Sequence, residues 1–103
     1  MSRLRAIHFI APAILLAVAI SSRADEKAYA AIESLLVAHC YDCHGDGMDK
    51  GDFAMDDYAS LGEHLQDFDV WYEIWKNVRS NLMPPADKPQ LKSEDKAKLL
   101  AFI

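Results

Sequence analysis

The chain of 103 residues reads as an all-α domain, and three observations predict this. Apolar side chains recur at helical spacing in several separate segments. Acids or a good capping residue open two of those segments. The stretches between them are rich in Gly, Asp or Pro, which is turn and break chemistry.

Taken in order, residues 1–24 have the layout of a secretory signal peptide. "MSRLR" is basic, "AIHFIAPAILLAVAI" is apolar but for one histidine, and "SSRA" ends in small residues, which predicts cleavage after Ala24. The apolar run from Ala6 to Ile20 is shorter than the roughly 20 residues a bilayer requires, so an uncleaved membrane anchor is the secondary reading. The exported domain, residues 25–103, opens on Asp25 and Glu26, and Ala28, Ile32, Leu35, Leu36 and His39 follow at helical spacing. That helix runs directly into Cys40-Tyr41-Asp42-Cys43-His44. "GDGMDKGDF" is then a loop, and a short helix over "DDYASLGEHLQ" is expected to start at Asp56 or Asp57. "DVWYEIWKNVRSNL" places Trp71, Ile74, Trp75, Val78 and Leu82 on one helical face, and "MPPADKPQ" breaks it. A last helix is expected from Ser93 as N-cap, carrying Leu99, Leu100 and Ile103. It has no C-cap glycine or basic last turn, which fits a chain that continues into a longer protein.

Composition narrows the class. The chain is 51% hydrophobic and 26% charged, with four glycines and four prolines, as in a globular protein. Loss of the leader removes Arg3, Arg5 and Arg23 but no acid, leaving 8 basic against 16 acidic side chains and a net charge of −8. Nucleic-acid binding, which needs clustered Lys and Arg, is therefore disfavoured, and a partner with a basic docking face is favoured. The 79 residues after the leader are near the size at which a hydrophobic core alone is marginal and a staple is needed.

The cysteine motif is where such a staple would act. A Cys40–Cys43 disulfide would close too small a loop to restrain the unfolded chain. Thiol exchange of the thioredoxin kind needs a helix N-terminus, and here the motif follows a helix C-terminus. Zinc would need Cys40, Cys43 and His44 with His39 or His64, but adjacent Cys43 and His44 point poorly at one ion. CxxCH gives all three residues separate tasks: two thiols to bond the vinyl groups of one haem c, and the imidazole of His44 to bind its iron. The candidate sixth ligands are Met48, Met55, Met83, His39 and His64. Met83 is favoured because Pro84 and Pro85 stiffen its loop, and it stands 39 residues beyond His44. His64 is the alternative, read otherwise as a solvated helix residue. Trp71 and Trp75, residues more often plain core than cofactor contacts, are read as packing against the haem ring or the helices around it, with Phe53 and Tyr58 as further candidate walls of the pocket.

Together, "CYDCHGDG", Lys50-Gly51, "WYEIWKNVRSNL", "MPP" and "PQLKSEDKAKLLAFI" resemble the planctomycete-type cytochrome c family over residues 33–103. The resemblance implies a small class I-like cytochrome c fold around one covalently attached haem, with N- and C-terminal helices packed across each other. It assigns Cys40 and Cys43 as thioether attachments, His44 as proximal ligand and Met83 as distal ligand. In this family the domain is often the N-terminal module of longer secreted proteins. Phe102 stands where the closing helix usually has a tryptophan. The expectation is an exported cytochrome, periplasmic or at the cell surface, that passes single electrons to a redox partner protein and is no enzyme in itself. It has two alternatives, the haem module of a larger secreted oxidoreductase and a haem-based ligand sensor. Membrane contact is expected only if the leader is retained.

Overall fold

Five helices build the domain in the computed structural model, which describes residues 11–103: α1 (Ala11–His39), α2 (Tyr41–His44), α3 (Leu61–Gln66), α4 (Phe68–Arg79) and α5 (Ser93–Phe102). A single 3₁₀ turn covers Lys50–Asp52, and there is no strand among the described residues. The all-α expectation holds. The first ten residues of the expected leader lie outside the described residues, and no described helix is long and apolar enough to cross a membrane.

The first helix does not begin at Asp25. It runs unbroken from Ala11, because nothing between Ile20 and Asp25 is a Gly or Pro that would stop it. Its inward stripe keeps Ile32 and Leu36 of the expected set, both buried, but opens on buried Tyr29 rather than on Ala28, which is exposed, and Leu35 is only half-buried. At their spacing of three and four, Tyr29, Ile32 and Leu36 form a continuous ridge.

The interior of this ridge is aromatic. Tyr29 meets Trp71 of α4 and Phe102 of α5 edge-on, at ring separations of 6.4 and 6.2 Å, and Trp71 and Phe102 are 5.4 Å apart. Edge-to-face pairs of this kind add to the burial of large rings. Phe102 thus fills the position expected of a tryptophan, and α1 and α5 pack against each other as the resemblance implied. Trp71 is 5% exposed, and its indole Nε1 donates to the His64 carbonyl at 2.8 Å, so its one polar atom is satisfied inside the core.

Local chemistry moves three boundaries. α3 starts at Leu61 rather than at the aspartates, because Ser60 caps it by accepting from the Glu63 amide at 3.2 Å. α4 is capped by Asp67, whose Oδ1 accepts from the Val70 amide, and it ends at Arg79 instead of reaching Leu82. The stop is a Schellman turn: Asn81 is left-handed (φ 62°), its amide donates to the Val78 carbonyl and the Leu82 amide donates to that of Asn77. Asparagine tolerates that conformation better than most residues. Ser93 is the first residue of α5 rather than its cap, and the capping position is Lys92.

Candidate functional site

The last turn of α1 carries the chain into the motif. Cys40 donates its amide to the Leu36 carbonyl at 2.8 Å, and Cys43 and His44 donate theirs to Cys40, so the two cysteines and the histidine sit on one tight helical turn. Gly45 follows with extended backbone, and its lack of a side chain has a steric cause. A Cβ there would lie 2.6 Å from the ring of Tyr41. Tyr41 therefore packs closely against the exit of the turn.

Across from this turn is the loop between α4 and α5. The Asn77 carbonyl accepts from the amides of both Leu82 and Met83, which anchors the Met83 backbone to the end of α4. Beyond it, the Gln90 side-chain amide donates to the carbonyls of Pro84, Pro85 and Lys88 at 3.2, 2.8 and 2.9 Å. Two further links close the loop onto the motif. His39 Nδ1 donates to the Pro89 carbonyl at 3.2 Å, and Lys88 pairs with Asp42 at 2.7 Å. Lys88 holds the Asp42 carboxyl below its usual range, by its hydrogen bond first and its charge second.

Between turn and loop lies a cavity of about 960 Å³. That is at the upper end of the range in which proteins hold cofactors, roughly 300–1,000 Å³. Cys40, Cys43, His44 and Met83 all line it, with Phe53, Met48, Met55, Val70, Ile74 and Val78 among the other walls. The expected ligand set is therefore brought together from positions more than 40 residues apart.

The chemistry of the donors suits a haem. The His44 Nδ1 lies 3.1 Å from the Phe53 carbonyl oxygen, and a carbonyl can only accept, so Nδ1 carries the proton and Nε2 keeps its lone pair. A backbone partner of this kind fixes the tautomer and raises the basicity of a metal-binding imidazole. Burial pushes the Cys40 thiol up to about 11. It is thus a neutral thiol at physiological pH, the opposite of what thiol exchange requires. Zinc fares no better, because no group of three or more His, Cys, Asp or Glu among the described residues is arranged to hold a metal ion.

Four of the candidate site residues stand away from the cavity. Trp71 and Trp75 do not line the cavity. Trp71 faces the aromatic core, and Trp75 stacks on Tyr72 with Arg79 over its ring. The residues of α4 that line the cavity are Asp69, Val70, Glu73, Ile74, Asn77 and Val78. His64 is neither a distal candidate nor solvated: it is 2% exposed, enclosed by Tyr58, Trp71 and Tyr29. Neither of its ring nitrogens has a hydrogen-bond partner. Tyr58 also belongs to this compartment, where its hydroxyl donates to Asp67. Of the aromatic candidates, Phe53 alone is a wall of the large cavity. Sequence reading missed Asn77 and Gln90, whose role lies in carbonyl and amide contacts that leave no pattern. It also passed over Gly45, which stands directly after the motif histidine.

A helical domain that gathers CxxCH and a remote methionine on one cofactor-sized cavity is of the c-type cytochrome class. Residues 40–87 match the family model described as Planctomycete cytochrome C. That match supports a planctomycete-type cytochrome c domain, of a haem-binding kind, over this part of the chain. The match is narrower than the resemblance over 33–103, leaving out the whole of α1 and α5. No curated protein and no solved structure matches the chain.

Proposed function

We propose that the domain is an exported one-electron carrier, with Cys40 and Cys43 as the thioether attachments, His44 as proximal ligand and Met83 as distal ligand. The observation that carries this reading is the convergence of these four side chains on one cavity. When bound there, a haem c supplies an iron that alternates between ferrous and ferric. The remaining steps belong to the protein. Cys40 and Cys43 keep the group from dissociating outside the cytoplasm. His44, oriented by the Phe53 carbonyl, offers Nε2 to the metal. Met83 offers a thioether, which favours the reduced state relative to a second imidazole. Asn77 and Gln90 hold the methionine loop in one geometry through either oxidation state. Phe53, Val70, Ile74 and Val78 keep water from the site. Export rests on the basic, apolar and small-residue order of residues 1–24, and the acidic composition suits a partner with a basic face.

The test is the absorption spectrum of the chain expressed with haem-attachment machinery. Narrow reduced bands of a c-type haem and the weak long-wavelength ferric band of methionine ligation are expected. Met83→Ala should abolish that ferric band and lower the potential while haem stays attached. An unchanged spectrum would reject Met83 as ligand. Carbon monoxide binding to the reduced wild-type protein in the absence of denaturant would replace the carrier with a ligand sensor.

A further inference from the structure

On the other side of Tyr41 and Met55 from the large cavity is a second recess, a cleft of about 270 Å³ that these two residues also line. His64 lines it as well. This is the one buried polar side chain among the described residues, and neither of its ring nitrogens has a hydrogen-bond partner. Buried polar atoms left unpaired are costly, so a group from outside the chain is expected to meet one of them. Burial lowers the pKa of His64 against the opposing charge of Asp67, so the ring is neutral and one of its nitrogens keeps a lone pair.

The mouth of the cleft is acidic. Glu26 and Glu33 stand on α1 with Tyr29 between them at steps of three and four, and Asp56 joins them from the loop before α3. All three acids are exposed, and no Lys or Arg lines the cleft. The ion pairs among the described residues, Lys76 with Glu73 and Lys88 with Asp42, use none of them. Asp56 accepts the Asp46 amide through Oδ2 at 2.9 Å, which leaves Oδ1. The Tyr41 pKa is raised by burial and also by the charges of Asp56 and Glu33, so the two carboxylates act on the same hydroxyl.

We infer that the cleft binds a small organic cation, a primary ammonium whose N–H groups are shared between the Glu33 and Asp56 carboxylates at the mouth and the lone pair of His64 at the inner end. Its charge selects that class, since acids without a base repel an anion. A metal ion is not suited, because no group of three or more His, Cys, Asp or Glu among the described residues is arranged to hold one. Tyr29, Tyr41 and Tyr58 add aromatic walls, which attract an ammonium. Water alone does not account for the room, since at roughly 30 Å³ per molecule the cleft exceeds what two imidazole nitrogens need. Its volume falls below the roughly 300 Å³ at which pockets for larger ligands begin, so the ligand has few non-hydrogen atoms and a dissociation constant on the order of 1 mM.

Titration of the haem-loaded, reduced chain with propylammonium chloride, followed by the ring nitrogen signals of His64 in NMR, tests this. A saturable shift is expected, and sodium propionate, an anion of matched size, should give none. E33Q/D56N should weaken binding at least tenfold. Its helical circular dichroism spectrum should match that of wild type, since both side chains are exposed and asparagine keeps an oxygen for the Asp46 amide. A shift that sodium chloride reproduces would mean that the cleft holds solvent alone, and would overturn the inference. So would propionate that binds as tightly as propylammonium, or propylammonium binding that E33Q/D56N leaves unchanged.

Discussion

The two compartments on either side of α4 are finished to different degrees. In the core compartment Tyr29, Trp71, Phe102 and His64 close on one another, and the indole proton is taken up within the chain. In the cavity compartment the backbone is pinned by hydrogen bonds, yet the side chains of Cys40, Cys43, His44 and Met83 surround a space of about 960 Å³. One half has its packing energy in the polypeptide alone. The other is lined by polypeptide on all the sides described, and the proposed haem would complete its packing. The difference teaches that substitutions in the two halves should respond differently to haem loading.

Trp71→Ala should have the largest effect, about 3–5 kcal/mol lost in chemical denaturation. It should be seen with or without haem, and a loss confined to the haem-loaded form would break the comparison. Gly45→Ala is next. Its Cβ would press into the Tyr41 ring at 2.6 Å, an overpacking that costs about 1–3 kcal/mol. Since Tyr41 packs against the exit of the motif turn, the yield of covalent haem should fall as well, and combining it with Tyr41→Ala should recover part of both.

Acid sharpens the contrast from the core side. Burial lowers the pKa of His64, with Asp67 opposing the shift through its charge. The neutral imidazole's contribution is therefore fully present above the unfolded value near 6.5 and is lost as pH falls from there toward the lower folded value. The slope is at most about 1.4 kcal/mol per pH unit. Denaturation curves of wild type and His64→Phe at several pH values should diverge below about pH 6.5. Parallel curves would mean that His64 is not held neutral. The smallest effect is expected from Asp42→Asn, since its pair with Lys88 is solvent-exposed and exposed pairs contribute little. Thermal stability should barely move, and under the proposed ligation by Met83 the haem spectrum should stay as it was.

Much of this architecture was legible because periodicity records which residues share a side. The stripes of α1 and α4 and the Pro-rich break after Met83 follow from spacing and from proline's missing amide proton. Periodicity does not record what stands opposite. Trp71 and Trp75 share a face as expected, but that face turns to the core and to solvent, and the smaller Val70, Ile74 and Asn77 meet the cavity. The misreading of His64 has the same origin. A six-residue helix has too few positions to reveal its inner side, and Ser60, which sets its start, was outweighed by two nearby aspartates. That the motif and Met83 would share one cavity was readable because CxxCH is local and two prolines follow Met83. Asn77 and Gln90 act through main-chain contacts that no spacing announces.

α4 has no idle side. Val70, Ile74 and Asn77 meet the cavity, Trp71 and Val78 are buried, and on the outer side Tyr72 stacks on Trp75 with Lys76 and Arg79 over their rings. Its room for sequence drift is correspondingly narrow. α1 between Asp25 and Leu36 faces the protein mainly through Tyr29, Ile32 and Leu36, with exposed positions between them, so it can vary there without consequence for haem loading. In a saturation library selected for haem-loaded protein, tolerance along α1 should rise and fall with the helical period, while α4 should be depleted of substitutions over most of two faces.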